Sequence, residues 1–174
     1  MDRSSILRCV DRALDQMGLK HAYGVISPNT FNSITQIESK LEDVAIFVTV
    51  YETSVNIYIQ FFIPSSFEIE NIPNNNKIID EMVKYTTLAN YGLKDGCFEY
   101  DINDNDLRYK TFIECHDLPT SSEGTFIKSL KNALGVSKVY ADGIFDVVHG
   151  LETAEDAFKK AVTSGHRKYR RNRR

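Results

Sequence analysis

A chain of 174 residues with 42% hydrophobic and 26% charged side chains is long enough for one domain with its own core and has an ordinary globular balance. Its longest strong apolar run, Val55 to Pro64, is interrupted by Asn56 and Gln60, and the charged opening MDRSSILRCVDRALDQ has no apolar stretch of the kind a secretory signal carries, so we expect neither a membrane span nor a signal peptide, and a cytoplasmic protein. The net charge of −3 hides an asymmetry: six arginines and lysines crowd into the last eight residues, leaving 15 basic against 24 acidic side chains in residues 1–166, a net of −9, which argues against nucleic acid as the partner of the folded body.

Ser4 or Ser5 can cap a first helix whose apolar residues Ile6, Cys9, Val10, Ala13, Leu14 and Met17 recur at three- and four-residue spacing until Gly18. From Leu19 to Leu41 the pattern weakens: His21, Tyr23 and Val25 alternate, Ser27-Pro28-Asn29 reads as a turn, and two extended segments are expected. Val44–Glu52 and Val55–Ile63 form the clearest strand pair, joined through Thr53-Ser54. In the second strand Val55, Ile57, Ile59, Phe61 and Ile63 share one face while Asn56, Tyr58, Gln60 and Phe62 share the other, so it should be central, and Pro64 stops its ladder.

After the loop 65–76 the stretch Lys77–Glu114 combines a helix with a hairpin. Asn75 or Asn76 is the expected N-cap, and Ile78, Ile79, Met82, Val83, Thr86 and Ala89 the expected buried stripe, ending at Gly92 or Gly96. The period then changes to two: Phe98, Tyr100 and Ile102 point one way, and Leu107, Tyr109, Thr111 and Ile113 do so after the turn Asn103-Asp104-Asn105. Glu99 and Asp101 should face Arg108 and Lys110 across the strands. Thr120–Glu123 fits a capping box for a helix with Phe126, Ile127, Leu130 and Leu134 inward, ending at Gly135. Another helix is expected over Val139–Leu151, interrupted by Gly143 and closed near Gly150, and Thr153–Asp156 caps a short last one carrying Ala154, Ala157, Phe158 and Ala161. The domain is expected over residues 1–163, with 164–174 as a disordered basic tail.

Chemistry is sparse. Asp101 to Asp106 offers alternating oxygens, but a calcium loop of the EF-hand type needs glycine and glutamate where Asp106 and Phe112 stand, so a polar turn is the better reading. Cys115, His116 and Asp117 are adjacent, yet neighbouring strand residues point to opposite faces and no third group is recruited. The odd set Cys9, Cys97 and Cys115 contains no metal or redox spacing and reads as reduced thiols, and the histidines lie scattered. No phosphate-binding, nucleophile-elbow or metalloprotease motif is present, and we expect no enzymatic activity, no metal and no cofactor. Two features remain. Phe47, Tyr51, Tyr58, Phe62 and Phe112 lie on sheet faces that one helical layer can leave uncovered, and are either ordinary core or a dimer or partner surface. Arg167, Lys168, Arg170, Arg171, Arg173 and Arg174 are either a solubilising end or a basic arm for nucleic acid or an acidic partner.

Leu88-Ala89-Asn90, Gly96-Cys97-Phe98-Glu99-Tyr100-Asp101 and Leu107-Arg108-Tyr109-Lys110-Thr111, followed by Tyr140–Ile144, Val148-His149-Gly150 and Ala154–Ala157, carry a resemblance. In order and spacing they resemble the YbjN family of bacterial sensory transduction regulators, over about Ser4 to Ala161. The resemblance implies an α+β fold like that of type III secretion chaperones, in the order α-β-β-β-α-β-β-α, with an antiparallel sheet and helices packed mainly on one face. It further implies a regulatory or chaperone-like protein-binding role, a homodimer, and no catalytic residues. Asn90 is expected to bond neighbouring backbone near the end of its helix. The alternative reading is a nucleic-acid-associated regulator that uses the basic tail.

Overall fold

The alternating segments pair into one antiparallel sheet of six strands, and the segments with helical spacing form four helices, in a computed structural model that describes residues 2–64, 75–115 and 122–171, with the side chains of its last helix described to Ser164. In chain order these are α1 (Arg3–Gln16), β1 (His21–Tyr23), β2 (Thr30–Gln36), β3 (Asp43–Val50), β4 (Ser54–Phe61), α2 (Asn75–Gly92), β5 (Cys97–Asp101), β6 (Asp106–Glu114), α3 (Ser122–Val148) and α4 (Ala154–Arg171). The strand order is β1-β2-β3-β4-β6-β5, so β6 returns between β4 and β5. The class is α+β. The expected order holds closely, with one more short edge strand before α2 and a second helix after β6.

Alternation decides which face is core. Val44, Ile46, Val48 and Val50 of β3, Val55, Ile57, Ile59 and Phe61 of β4, and Leu107, Tyr109 and Ile113 of β6 are all buried, because successive strand residues point to opposite faces. Each such side chain removed from water stabilises the fold by about 1.5–3 kcal/mol, taken as an upper bound. The helices cover this inner face: α2 lies against β5, α3 against β4 and β6, α1 against α3 and β3, and α4 against α2 and α3. The first helix is capped by Asp2 rather than Ser4 or Ser5, Asp2 Oδ1 accepting from Ser5 N at 2.8 Å. Its expected stripe is buried apart from a half-buried Met17.

Several expectations are corrected. Gly135 does not end a helix, and Gly143 does not interrupt one: α3 runs unbroken from Ser122 to Val148. At Gly143 the absent side chain makes room for Tyr85, since a Cβ there would stand 2.7 Å from Tyr85 Cζ. Tyr85 donates to Tyr140 O at 2.9 Å and occupies the α2 core stripe, while Val83 is exposed. Gly96, at φ +72° just before β5, plays a similar part: a Cβ would lie 2.6 Å from Tyr109 Cζ, and Tyr109 donates to Asp95 O at 2.6 Å. Ile102 belongs to the exposed turn, and Asp101 stands opposite Asp106, not a cation. Asp101 Oδ1 accepts instead from Asn103 N at 2.9 Å.

Thr153 Oγ1 caps α4 by accepting from Asp156 N at 3.3 Å, as its sequence signature predicts. That helix extends through Arg171, beyond the expected boundary at residue 163. Because α2 begins at Asn75, Asn76 lies inside the helix and a cap before it lies outside the described residues, as do Thr120 and Ser121 of the expected capping box. No helix of the described residues is long and apolar enough to cross a membrane.

Candidate partner surface

The sheet face turned away from the helices is built by the other half of the alternation. Register places Asn32, Phe47, Tyr58, Lys110 and Cys97 in one row across five strands. The next row carries Thr30, Thr49, Asn56 and Phe112, and the row on the other side carries Ile34, Ala45, Gln60, Arg108 and Glu99. The described helices all pack on the inner side, so among the described residues this outer face has no helical layer.

The five aromatic residues singled out from the sequence divide into two groups. Phe47 and Tyr58 face each other in register and are half-buried. The Arg108 guanidinium lies 4.8 Å from the Tyr58 ring centroid and Lys110 Nζ lies 5.8 Å from it, a cation–π arrangement. Tyr58 Oη also accepts from Asn56 Nδ2 at 2.9 Å. Tyr51, Phe62 and Phe112 are exposed at 47%, 52% and 61%. Tyr51 follows β3 at one end of the face and Phe62 follows β4 at the other. Sequence reasoning missed Ile34, exposed at 66%, because the polar residues of TFNSITQ conceal a strand whose even positions face outward.

Glu99 fixes the two cations over Tyr58, accepting from Arg108 Nε at 2.7 Å and from Lys110 Nζ at 3.0 Å. Burial acts to raise its carboxyl pKa, but the bonds from Lys110 and Arg108 outweigh that and hold it below the ordinary value. The remaining outer-face carboxylates, Asp43, Asp101, Asp106 and Glu114, form no ion pair with a described residue. A depression of about 430 Å³ beside Gln60, Asp101, Asp106 and Arg108 marks the β5–β6 end.

A second cleft, of about 470 Å³, opens between α3, α4 and the segment before β3. Lys40 pairs there with Asp146 at 2.5 Å, Lys138 with Glu38, and Lys160 with Glu152. Each lysine is thus engaged by a carboxylate, an arrangement that ties the β2–β3 connection to α3 and α4 to the turn that follows α3. Among its described lining residues the one hydroxyl is that of Ser164, which donates to Ala161 O at 2.9 Å rather than to a base. Among the described residues no group of three or more histidine, cysteine or acidic side chains is placed to hold a metal ion. Cys115 is buried, and that burial pushes its thiol pKa up, while His116 and Asp117 lie outside the described residues. Arg167, Lys168, Arg170 and Arg171 fall on the helical backbone of α4, and Arg173 and Arg174 lie outside the described residues.

No family model, no curated protein and no solved structure matches the chain.

Proposed function

We propose that this chain is a non-enzymatic protein-binding module of the cytoplasm, regulatory or chaperone-like, that takes its partner on the outer face of the sheet and forms a homodimer. The observation that carries the reading is the exposure of Ile34, Tyr51, Phe62 and Phe112 on a face that the described helices leave bare. Exposed apolar residues gathered on one surface mark sites of association, whereas scattered ones do not. The residues that resemble YbjN-family regulators bear the same way. A photo-reactive phenylalanine at position 112 should yield a protein adduct in cells, and light scattering should show self-association that Phe112→Ser and Phe62→Ser weaken. A strict monomer at every concentration, with no adduct from position 112, would remove the reading.

A second reading is favoured by the continuation of α4 through Arg171, which puts four cations of the basic segment on one helical run. In that reading the segment grips nucleic acid by neutralising phosphates. Removal of residues 167–174 should then abolish a strongly salt-dependent affinity for nucleic acid, and unchanged or undetectable binding dismisses it.

A further inference from the structure

We propose that the occupant of the outer sheet face is the cationic segment Arg167–Arg174 of a second copy of this chain, an inference that rests on the reading of that face as a binding surface. The argument begins from charge. The outward positions of the strands carry the acids Asp43, Glu99, Asp101, Asp106 and Glu114 against the cations Arg108 and Lys110. Both cations are already held by Glu99. Asp43, Asp101, Asp106 and Glu114 are left without a cation among the described residues, around a surface that exposes Ile34, Phe62 and Phe112.

Such a face is a poor match for itself. Two copies stacked sheet to sheet would bring two sets of uncompensated carboxylates together, and like charges juxtaposed across an interface cost affinity and suppress the pairing. What it fits is a cationic segment that also carries apolar surface. The chain contains one dense example, RKYRRNRR, with six cations around Tyr169. Arginine suits both parts of the surface, since its planar head pairs with carboxylates and lies flat on aromatic rings. Arg108 already does this on Tyr58, while bonded to Glu99.

Position makes the donor a second copy. The last α4 residue in the described core is Ala161, and the helical backbone continues ten residues beyond it to Arg171, about 15 Å at the rise of an α-helix. α4 packs on α2 and α3, with the inner face of the sheet beneath them. A chain's own basic segment therefore starts on the opposite side of the sheet from its own outer face, whereas the outer face of a neighbour is open to it.

The test uses the full chain, the chain ending at His166, and a peptide of residues 165–174. Light scattering should show a dimer for the full chain whose dissociation constant rises at least roughly tenfold on truncation or between about 0.05 M and about 0.5 M salt. The peptide should bind the truncated chain and dissociate the full-length dimer. The triple variant Asp43→Asn, Asp106→Asn, Glu114→Gln removes no ion pair among the described residues and should lose both effects, with circular dichroism confirming its fold. A truncated chain that dimerises as tightly as the full chain, or a peptide that binds the triple variant equally well, overturns the proposal. An adduct from position 112 obtained alongside either result would still support a partner on this face, so the two failures can be told apart. A full chain that stays monomeric overturns it as well.

Discussion

The side-chain amide of Asn90 pairs with the backbone of Phe98 as a neighbouring strand would. Asn90 Nδ2 donates to Phe98 O at 2.9 Å, and Phe98 N donates to Asn90 Oδ1 at 2.7 Å. β5 is an edge strand, with β6 on one side only, and an edge with free donors and acceptors is a template for unwanted pairing. One residue of α2 thereby closes both groups of Phe98 and fastens the helix to the sheet.

Asn90→Asp should break half of that pairing and Asn90→Leu all of it. The carboxylate keeps the acceptor for Phe98 N but loses the donor to Phe98 O, and leucine leaves both groups without a partner beside a side chain that is 5% exposed. Unpairing a buried polar group costs about 1–3 kcal/mol, so both variants should unfold at lower urea, the leucine variant at the lowest. Hydrogen exchange at the Phe98 amide should accelerate in Asn90→Leu more than at the Tyr109 amide. Equal acceleration at both would mean that the pairing has no local role.

Two of the three glycines inside α3, Gly135 and Gly143, should respond to alanine with opposite signs. A Cβ at Gly143 would stand 2.7 Å from Tyr85 Cζ and 2.9 Å from Tyr85 Cε2, and Tyr85 cannot retreat without giving up its bond to Tyr140 O. Gly143→Ala should cost about 1–3 kcal/mol through overpacking. At Gly135 a Cβ meets nothing within 4 Å, so Gly135→Ala should gain about 0.5–1 kcal/mol from helix propensity. Urea unfolding of the two variants beside the parent decides it, and equal shifts in the same direction would contradict the packing argument.

These glycines also show where the sequence stops being legible. Alternation in Val55–Phe61 and Leu107–Ile113 could be read because each strand face meets one environment along its whole length. A glycine in a helix is different: whether it ends the helix, weakens it or admits a neighbour depends on what stands opposite, and Tyr85 is far from Gly143 in the chain. The same tyrosine displaced Val83 from the expected core stripe, since its ring can be buried while its hydroxyl reaches a carbonyl. At the candidate surface, Phe47 and Tyr58 stand opposite each other in register. Their partial covering by Arg108 and Lys110 arises from strand order, which spacing alone does not carry.

His21 links α1 to β1 in a way that favours its charged form. Nδ1 lies 2.8 Å from Leu19 O and Nε2 lies 2.9 Å from Asp11 Oδ1, and both partners only accept, whereas a neutral imidazole has one proton to give. Burial lowers the pKa, but the bonds to Asp11 and Leu19 and the charges of Asp11 and Asp15 prevail and raise it above 6.5. A raised folded value means stability that is fully present below the unfolded pKa and lost as pH rises through the folded one. Urea midpoints of the parent should therefore fall between about pH 5.5 and about pH 8.5 by more than those of Asp11→Asn. Parallel curves for the two proteins would sink the assignment.

Glu99 should give the mirror image in acid. Its carboxylate holds Arg108 and Lys110 against Tyr58, and the bonds from those two cations, working against burial, keep its pKa below 4.5. A lowered folded value means stability present above the unfolded pKa and lost as pH falls through the folded one. Glu99 is partly exposed to water, so Glu99→Gln should cost no more than about 1 kcal/mol at neutral pH. Its clearer signature is in the slope: the parent should lose stability between about pH 5 and about pH 3 faster than the variant does. The difference isolates Glu99 from the other carboxylates that titrate there, Asp2 and Glu155 among those with lowered values. If the parent and Glu99→Gln ran parallel through acid, the two cations would be held over Tyr58 by packing alone, and the charge of Glu99 would have no part in shaping the outer face.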